Sequence, residues 1–425
     1  MEIFSFLSIS VVLLFIGVPI TVSLMMGVII TNIFFNIYPT ATMATIIYHS
    51  LDSYVLVAIP LFLLAGITMS YGGISKKIFD FAESLVGFTR GALGNVNIVA
   101  SMIFGGMSGS SVADVAGLGL IEISEMTKRE YPKQYATAVT VASSTMSVVI
   151  PPSILLVIYA VSSGVSVGSM LLAGFFPGII IGFVLMLTNI IISKKNKWGT
   201  EVKFSLPNIL KQGYFGFPAL LMPLIIIGGI FSGIFTATEA SAIALLYAIL
   251  IGIFLFKSIK LKDLTKILYE GGKTTGIVAL ELSCGLLLAN FLVIEDVPNS
   301  VVRLCLSITD NPFILMSLIN IVLLFAGMFL NPGTAIIVFS QVFLPLISEI
   351  GYNPIHFGII MVVNLAIGLI TPPVGSCLYA GSAVSGLKIE EIIKPLIPFF
   401  IALVLSLVLI IILPSLSLYL PSLSR

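Results

Sequence analysis

The chain has 425 residues, of which 58% are hydrophobic and only 9% charged, and its mean hydropathy is +1.17. A soluble domain is about 45–50% apolar and about 25% charged, so this composition excludes a soluble enzyme and implies a polytopic membrane protein. A net charge of +1 speaks against nucleic acid as a partner. Three cysteines without paired spacing (Cys284, Cys305, Cys377) and two histidines (His49, His356) imply neither a disulfide framework nor a metal cluster.

In chain order, residues 3–38 read as continuous membrane sequence without a small-residue cleavage site, so no cleavable signal peptide is expected. Long apolar runs then recur to the end of the chain. Each matches the roughly 20 residues that a helix needs to cross the hydrocarbon core. The short-period alternation of membrane strands is absent, so the expected spans are helices. The longest polar stretch, Lys194–Gly213, reads as a loop.

The 20 Lys and Arg residues cluster. One group is Lys76, Lys77 and Arg90; a second is Lys128, Arg129 and Lys133. A third spans Lys194–Lys211, a fourth Lys257–Lys273, and a fifth is Lys388 and Lys394, while Arg303 and Arg425 stand apart. Positive charge marks the cytoplasmic side, which places all five clusters inside and both termini outside. The segment between Arg90 and Lys128 then enters and leaves on one side, with a break at Gly105–Ser111. Pro312–Ile350 does the same from the outside, with a break at Gly327–Gly333. Non-helical backbone at membrane depth is tolerated only where protein or a polar cavity surrounds it, so two re-entrant hairpins point to a binding site.

The halves match at one constant offset in the numbering: Gly106-Met107 with Gly327-Met328, Pro151-Pro152 with Pro372-Pro373, and Pro177 with Pro398. After each hairpin comes a second broken span. In the first half Ser143-Ser144-Thr145 leads to Ile150–Ser153; in the second Asn364 leads to Thr371–Ser376. Paired prolines remove backbone donors and strand carbonyls of the preceding turn. Freed carbonyls and hydroxyls suit a small hard cation, and amides at half-helix N-termini suit a carboxylate. Inverted repeats with interrupted segments at corresponding positions are the mark of a secondary transporter.

Met107–Asp114, Ile150–Ser153, Gly233–Ala240, His356-Phe357-Gly358 and Asn364–Gly375 resemble one family across essentially the whole chain: the large membrane subunit of tripartite ATP-independent periplasmic (TRAP) transporters, with the sialic acid type as one form. The resemblance implies an all-α, inverted-repeat, elevator-type importer of organic acids in a bacterial inner membrane, coupled to sodium. It implies two partners, a small four-helix membrane subunit and a periplasmic substrate-binding protein. No cofactor is expected beyond sodium as coupling ion, and no ATP-binding motif is present. One departure is Asn331, where many family members resemble Gly-Met-Phe followed by an acidic residue at the second hairpin tip. It leans the substrate towards a sugar acid such as sialic acid rather than a C4-dicarboxylate.

The expected sodium ligands around the first hairpin and broken helix are Gly106, Ser108, Gly109, Ser110, Asp114, Ser144 and Pro151. Around the second they are Gly327, Asn331, Gly333, Thr334, Thr371, Pro372 and Gly375. The expected substrate contacts are Ser108, Ser110, Ser111, Ser153 and Asn331. Asp114 costs at least ~2.5–3.5 kcal/mol to insert ionised at bilayer depth; it either supports a sodium site or caps the outgoing half-helix. Glu239 in Thr236–Glu239 fits a capping box, and His356 reads as a cap or interface residue. Glu295, Asp296 and Arg303 form an outer loop.

The expected organisation is scaffold helices over 1–70, a cytoplasmic arm over 71–89, and the first hairpin, broken helix and following span over 90–193. A cytoplasmic loop follows over 194–212, then scaffold helices over 213–256, an amphipathic arm over 257–273, a span and outer segment over 274–311, and the second hairpin, broken helix and last span over 312–425. About nine full spans result. A stand-alone sodium/dicarboxylate symporter shares the architecture but needs no binding protein. An intramembrane protease would need a catalytic histidine or a second membrane aspartate beside Ser110 or Asp114, and a passive channel does not explain hairpins from opposite sides.

Overall fold

The computed structural model describes residues 1–199 and 203–424, and among these it contains helices and their connections and no strand. Arg425 of the charge map and residues 200–202 of the expected 194–212 loop lie outside the described residues. The first half comprises α1 (Glu2–Phe15), α2 (Ile20–Phe35), α3 (Thr40–His49), α4 (Ala58–Tyr71), α5 (Ile74–Val86), α6 (Ala92–Ser108), α7 (Ser111–Lys128), α8 (Lys133–Ser143), α9 (Ile154–Ser163), α10 (Val167–Ala173) and α11 (Phe175–Asn196). The second comprises α12 (Leu206–Phe231), α13 (Ala237–Leu250), α14 (Leu261–Ile294), α15 (Val297–Ile308), α16 (Pro312–Phe329), α17 (Pro332–Glu349), α18 (Pro354–Gly368), α19 (Ser376–Ser385), α20 (Ile389–Ile412) and α21 (Ser415–Leu423). Among the described residues, 8 helical segments are long and apolar enough to cross a membrane, and two of them are the arms of the second hairpin.

The hairpins are α6–α7 and α16–α17, and their geometry carries the repeat. The offset that relates Gly106 to Gly327 also relates the start of α7 to that of α17, the end of α7 to that of α17, and the end of α6 to that of α16. Both breaks are shorter than the glycine-rich stretches suggest. Helix α6 continues through Ser108, leaving Gly109-Ser110, and α16 continues through Phe329, leaving Leu330-Asn331. Side-chain caps start the outgoing arms. Ser110 Oγ accepts from the Ala113 amide at 3.4 Å, and Asn331 Oδ1 accepts from the Gly333 amide at 2.9 Å with Pro332 at the first helical position. Thr236 and Glu239 form the expected capping box at the start of α13.

The broken spans are α8–α9 and α18–α19. In the first, a 3-10 turn over Ser144–Val148 gives way to a turn and bends over 149–152 before Ser153, whose hydroxyl accepts from the Leu156 amide at 3.3 Å and so caps α9. The Pro151–Pro152 and Pro372–Pro373 peptide bonds are both cis. Packing between the halves is reciprocal: α7 lies against α19, and α17 lies against α9. Each hairpin thus seats its outgoing arm on the far half of the other repeat's broken span, and one apolar core runs through both. A second cluster joins Phe6, Val28, Tyr38 and Met43 from the N-terminal helices to Leu287, Leu288 and Phe291 of α14.

Three expectations are corrected. Residues 2–35 are two helices of 14 and 16 residues turned around Gly17 (φ +94°), each shorter than a full span. The 194–212 loop is shorter than expected, because α11 continues to Asn196 and α12 starts at Leu206. The 257–273 arm is continuous with the span that follows. Helix α14 runs for 34 residues, about 50 Å at 1.5 Å per residue, straight through Gly271-Gly272. Gly271 is a packing position: a Cβ there would stand 2.2 Å from Leu64 Cδ2 of α4. At the repeat offset, the amphipathic α5 falls on α15, not on residues 257–273. Asp296 and Arg303 form an exposed ion pair at 2.9 Å, and the Asn299 and Arg303 side chains hold the Asp296 carboxyl below the usual carboxylate range. An exposed pair of this kind contributes little to stability.

A buried amide ties the first hairpin to α11. Asn189 Nδ2 donates to the Gly91 carbonyl at 2.9 Å and to Asn95 Oδ1 at 2.8 Å, and Asn189 Oδ1 accepts from the Tyr135 hydroxyl at 2.5 Å. Replacing it strands three buried polar groups, each costing about 1–3 kcal/mol. Asn189→Leu is expected to lower the thermal midpoint of the purified protein clearly, while Asn196→Leu at the exposed end of α11 leaves it within error; equal midpoints for the two would remove the anchoring role.

Candidate functional site

The two hairpin tips and the two broken spans meet at one cavity of about 210 Å³. Gly109, Ser110, Ser111 and Val112 line it from the first tip; Asn331, Pro332 and Gly333 line it from the second. Val148, Ile154 and Leu155 come from the first broken span, and Leu369 and Ser376 from the second. Helix α14 closes the side with Thr274, Ile277, Val278 and Glu281, and Leu63 of α4 completes the wall. Four helices therefore start at this space: α7, α9, α17 and α19. Their N-terminal amides carry the positive ends of four helix dipoles, an arrangement that attracts an anion without a basic side chain. Glu281 is the one charged side chain among the described lining residues.

Close backbone approach makes the convergence possible. Gly109 has φ +61°, and a Cβ there would stand 2.8 Å from the Pro152 carbonyl oxygen, so only glycine brings the first tip onto the first break. At the second break a Cβ on Gly368 would stand 2.6 Å from the carbonyl carbon of Gly327. The two glycines let α16 and α18 touch backbone to backbone.

Of the residues singled out from the sequence, Gly109, Ser110, Ser111, Asn331 and Gly333 line the cavity. Gly106 packs near the Pro151 carbonyl, one turn below the first tip. Ser108 is buried beside the Ser110 amide, and the buried Ser111 hydroxyl has no hydrogen-bond partner. Ser144 Oγ donates to the Val141 carbonyl at 2.8 Å and Thr371 Oγ1 to the Ile367 carbonyl at 2.7 Å, so both hydroxyls bond back into their own turn. Ser153 is engaged as the α9 cap, Gly375 (φ +44°) precedes α19, and Pro372 sits in the second break. Thr334 points away from the cavity lining to Thr21 of α2, at 3.4 Å. Gly327 serves the close contact with Gly368.

Asp114 is not the helix cap; Ser110 is. The Asp114 carboxylate is buried, and its Oδ2 accepts from Ser147 Oγ of the first break at 2.8 Å. Hairpin and broken span are thereby joined through an acidic group just behind the cavity. At the second break Asn364 Nδ2 donates to Asn320 Oδ1 at 2.6 Å and to the Asn320 carbonyl at 2.9 Å, leaving Asn364 Oδ1 without a partner. At the repeat offset Asn364 falls on Ser143, whose hydroxyl bonds to Asn97 and Ser101. His356 is buried in the first turn of α18 with Nδ1 3.2 Å from Ser417 Oγ, an interface position; Asn353 caps that helix.

Two acidic residues escaped the sequence reading. Glu281 lies within the apolar run of α14, with Oε2 3.2 Å from where a Cβ on Gly333 would be, so it faces the second hairpin tip. Glu122 is fully buried on α7. An acidic side chain inside an apolar run needs a partner or a cavity, so both residues carry in the sequence the same signal as Asp114.

The family model described as "Tripartite ATP-independent periplasmic transporter, DctM component" matches residues 7–416. The C4-dicarboxylate TRAP transporter large permease protein DctM of Pseudomonas aeruginosa is 37% identical over 393 residues, 92% of either chain. The sialic acid TRAP transporter large permease protein SiaM of Vibrio cholerae is 38% identical over 412 residues, 97% of this chain and 96% of its own. Among solved structures, MtrF of Neisseria gonorrhoeae, described as one of a class of antimetabolite efflux pumps, superposes with a TM-score of 0.56 at 12% identity, covering 86% of this chain and 82% of its own. That likeness concerns the fold alone. Family match, identity and coverage together place this multi-pass inner-membrane chain: it belongs to the DctM components, the large permeases, of tripartite ATP-independent periplasmic transporters.

Proposed function

We propose that this chain imports an organic acid by sodium-coupled secondary transport. The acid is handed over by a periplasmic binding protein, the small four-helix membrane subunit completes the scaffold, and the hairpins with their broken spans move as an elevator. The observation that carries the reading is the convergence of four helix N-termini and two interrupted spans on one cavity that has no basic side chain among its described lining residues. The amide ends favour a carboxylate. The carbonyls stranded at the breaks over 149–152 and 370–374 are hard oxygen donors of the kind that sodium takes. The relatives' names supply two substrate classes, C4-dicarboxylates and sialic acid; Asn331 at the second tip, neutral and able to donate, favours the sugar acid with its many hydroxyl acceptors.

Cation binding and anion binding support each other in such a site. Two like unit charges 4 Å apart repel by about 4 kcal/mol at an effective dielectric of about 20, so an ionised Glu281 opposes an anionic substrate until a cation neutralises it. Each sodium charge moved through the membrane field adds about 2.3 kcal/mol per 100 mV. The reciprocal seating of α7 on α19 and α17 on α9 supports a rigid moving unit, because neither hairpin can shift without the other repeat's broken span.

Reconstitution of the chain with its small subunit in liposomes tests the reading: with a binding protein outside, labelled sialic acid or succinate is expected to accumulate under an inward sodium gradient. Uptake without the binding protein would favour the stand-alone symporter, and uptake independent of sodium would sink the coupling. Glu281→Gln is expected to shift the half-saturating sodium concentration at least tenfold while the protein still inserts; an unchanged sodium curve removes Glu281 from the coupling site. In the same assay Gly109→Val is expected to abolish uptake, since its Cβ meets the Pro152 carbonyl, whereas Gly164→Val, at a positive-φ glycine with open space around it, retains transport at reduced stability.

A further inference from the structure

The four helix ends that meet at the cavity are not equivalent. Free backbone amides are what let a helix N-terminus hold an anion. At the first tip Ser110 takes the Ala113 amide with its side chain and the Asp114 amide with its carbonyl; the amides of Ser111 and Val112 have no partner among the described residues. At the first break Ser153 takes the Leu156 and Val157 amides in the same way, and those of Ile154 and Leu155 are left. All four residues with free amides line the cavity. Beside them lies the hydroxyl of Ser111, a residue only 1% exposed, buried in the cavity wall without a hydrogen-bond partner. A hydroxyl donates as well as accepts, so this one completes a cluster of unused donors.

In the second repeat most of the corresponding donors are missing or engaged. Pro332 has no N–H, and the Gly333 amide donates to Asn331 Oδ1 at 2.9 Å. Thr334 keeps a free amide but lies outside the cavity lining, with its hydroxyl beside Thr21 of α2. At the start of α19 the Cys377 amide donates to the Leu369 carbonyl at 3.0 Å, which leaves the Ser376 amide alone. Glu281, the one charged side chain of the described lining, stands at this end, its Oε2 3.2 Å from where a Cβ on Gly333 would be. Asn331 keeps its side-chain N–H groups. The cavity is thus rich in donors and free of charge at the first repeat, and negative with a neutral amide beside it at the second tip.

We propose that the first repeat takes the substrate's carboxylate, at the Ser111 hydroxyl and the four amides, and that Glu281 bars a second carboxylate from the other tip, so the preferred cargo is a monocarboxylate with an uncharged, hydroxyl-bearing remainder. This polarity rests on the organic-acid reading of the same cavity and adds the charge class of its cargo. A hydroxyl donates to Glu281 and accepts from Asn331 Nδ2. A second carboxylate has no proton to give Glu281 and brings a like charge into a low-dielectric space. In a cavity of about 210 Å³ a dicarboxylate seated at Ser111 cannot hold its other end far from Glu281. A cation that neutralises Glu281 leaves that second carboxylate without one of its own. Discrimination then comes from a repulsive group as much as from an attractive one.

Equilibrium binding tests this without a gradient or a binding protein. The full chain with its small subunit is held in lipid nanodiscs, in sodium that saturates every variant, and its thermal midpoint is titrated with gluconate, sialic acid and succinate. The wild type is expected to bind the two monocarboxylates roughly tenfold or more tighter than succinate, and in Glu281→Gln that preference shrinks about tenfold because succinate gains. Ser111→Ala is expected to keep or raise the ligand-free midpoint, since its hydroxyl has no bond to lose, and to weaken both monocarboxylates about tenfold. Succinate bound as tightly as the monocarboxylates by the wild type, a preference unchanged in Glu281→Gln, or no response to any of the three acids overturns the proposal. Should Glu281→Gln fail to insert, Ser111→Ala decides: monocarboxylate affinities equal to wild type overturn it. Sodium-driven uptake with an unaltered preference sinks this inference and leaves the transport reading, whereas failed uptake with the stated preferences does the reverse.

Discussion

Backbone hydrogen bonding inside a membrane is the constraint on which this architecture depends. A helix that stops at mid-depth leaves amides and carbonyls that lipid cannot satisfy. This chain stops four helices that way, at two hairpin tips and two proline-containing breaks, and buries all four interruptions against one another. The glycines at the contacts are what make this possible. Gly109 meets the Pro152 carbonyl and Gly368 meets Gly327, so each tip is closed by the break of its own repeat. The helices leaving those points are seated on the opposite repeat. The interruptions cannot be treated singly, because removing one exposes another.

The same arrangement makes the cavity chemically unusual. Its attraction for an anion comes from helix ends, and its described charged group is acidic. On the function proposed above, the carboxylate at the edge of such a site is the group that a cation would neutralise before an anion binds. The intramembrane protease alternative loses its ground on the same geometry. Asp114 is bonded to Ser147 behind the tip, Ser110 is spent as a helix cap, and the homologous proteins are transporter permeases.

The likeness in fold to an efflux pump at 12% identity separates architecture from task. Hairpins and broken spans are a general solution to placing irregular backbone in a membrane, and the direction and cargo of transport lie in the side chains and partners added to it. In this chain Glu281 of the long α14, which is not part of either hairpin, lines the cavity at the second tip.

Much of this was legible in the chain itself. Composition determined a membrane protein of helices, because so few charges cannot clothe a soluble surface. The glycine-rich stretches and paired prolines at one fixed offset determined two hairpins, two broken spans and their relation, because backbone interruptions are written locally in residue type. The motifs determined the family. Tertiary structure alone decided which surfaces meet. Glu281 reads as one more position on an apolar helix until α14 is laid against α17, and Glu122 looks like an ordinary acid near a helix end until α6 and α8 cover it. Gly271-Gly272 reads as a boundary between arm and span, but with α4 packed into the notch the helix runs on. In each case the sequence specifies a helix and its faces, and the burial that gives a residue its role comes from a segment far away in the chain.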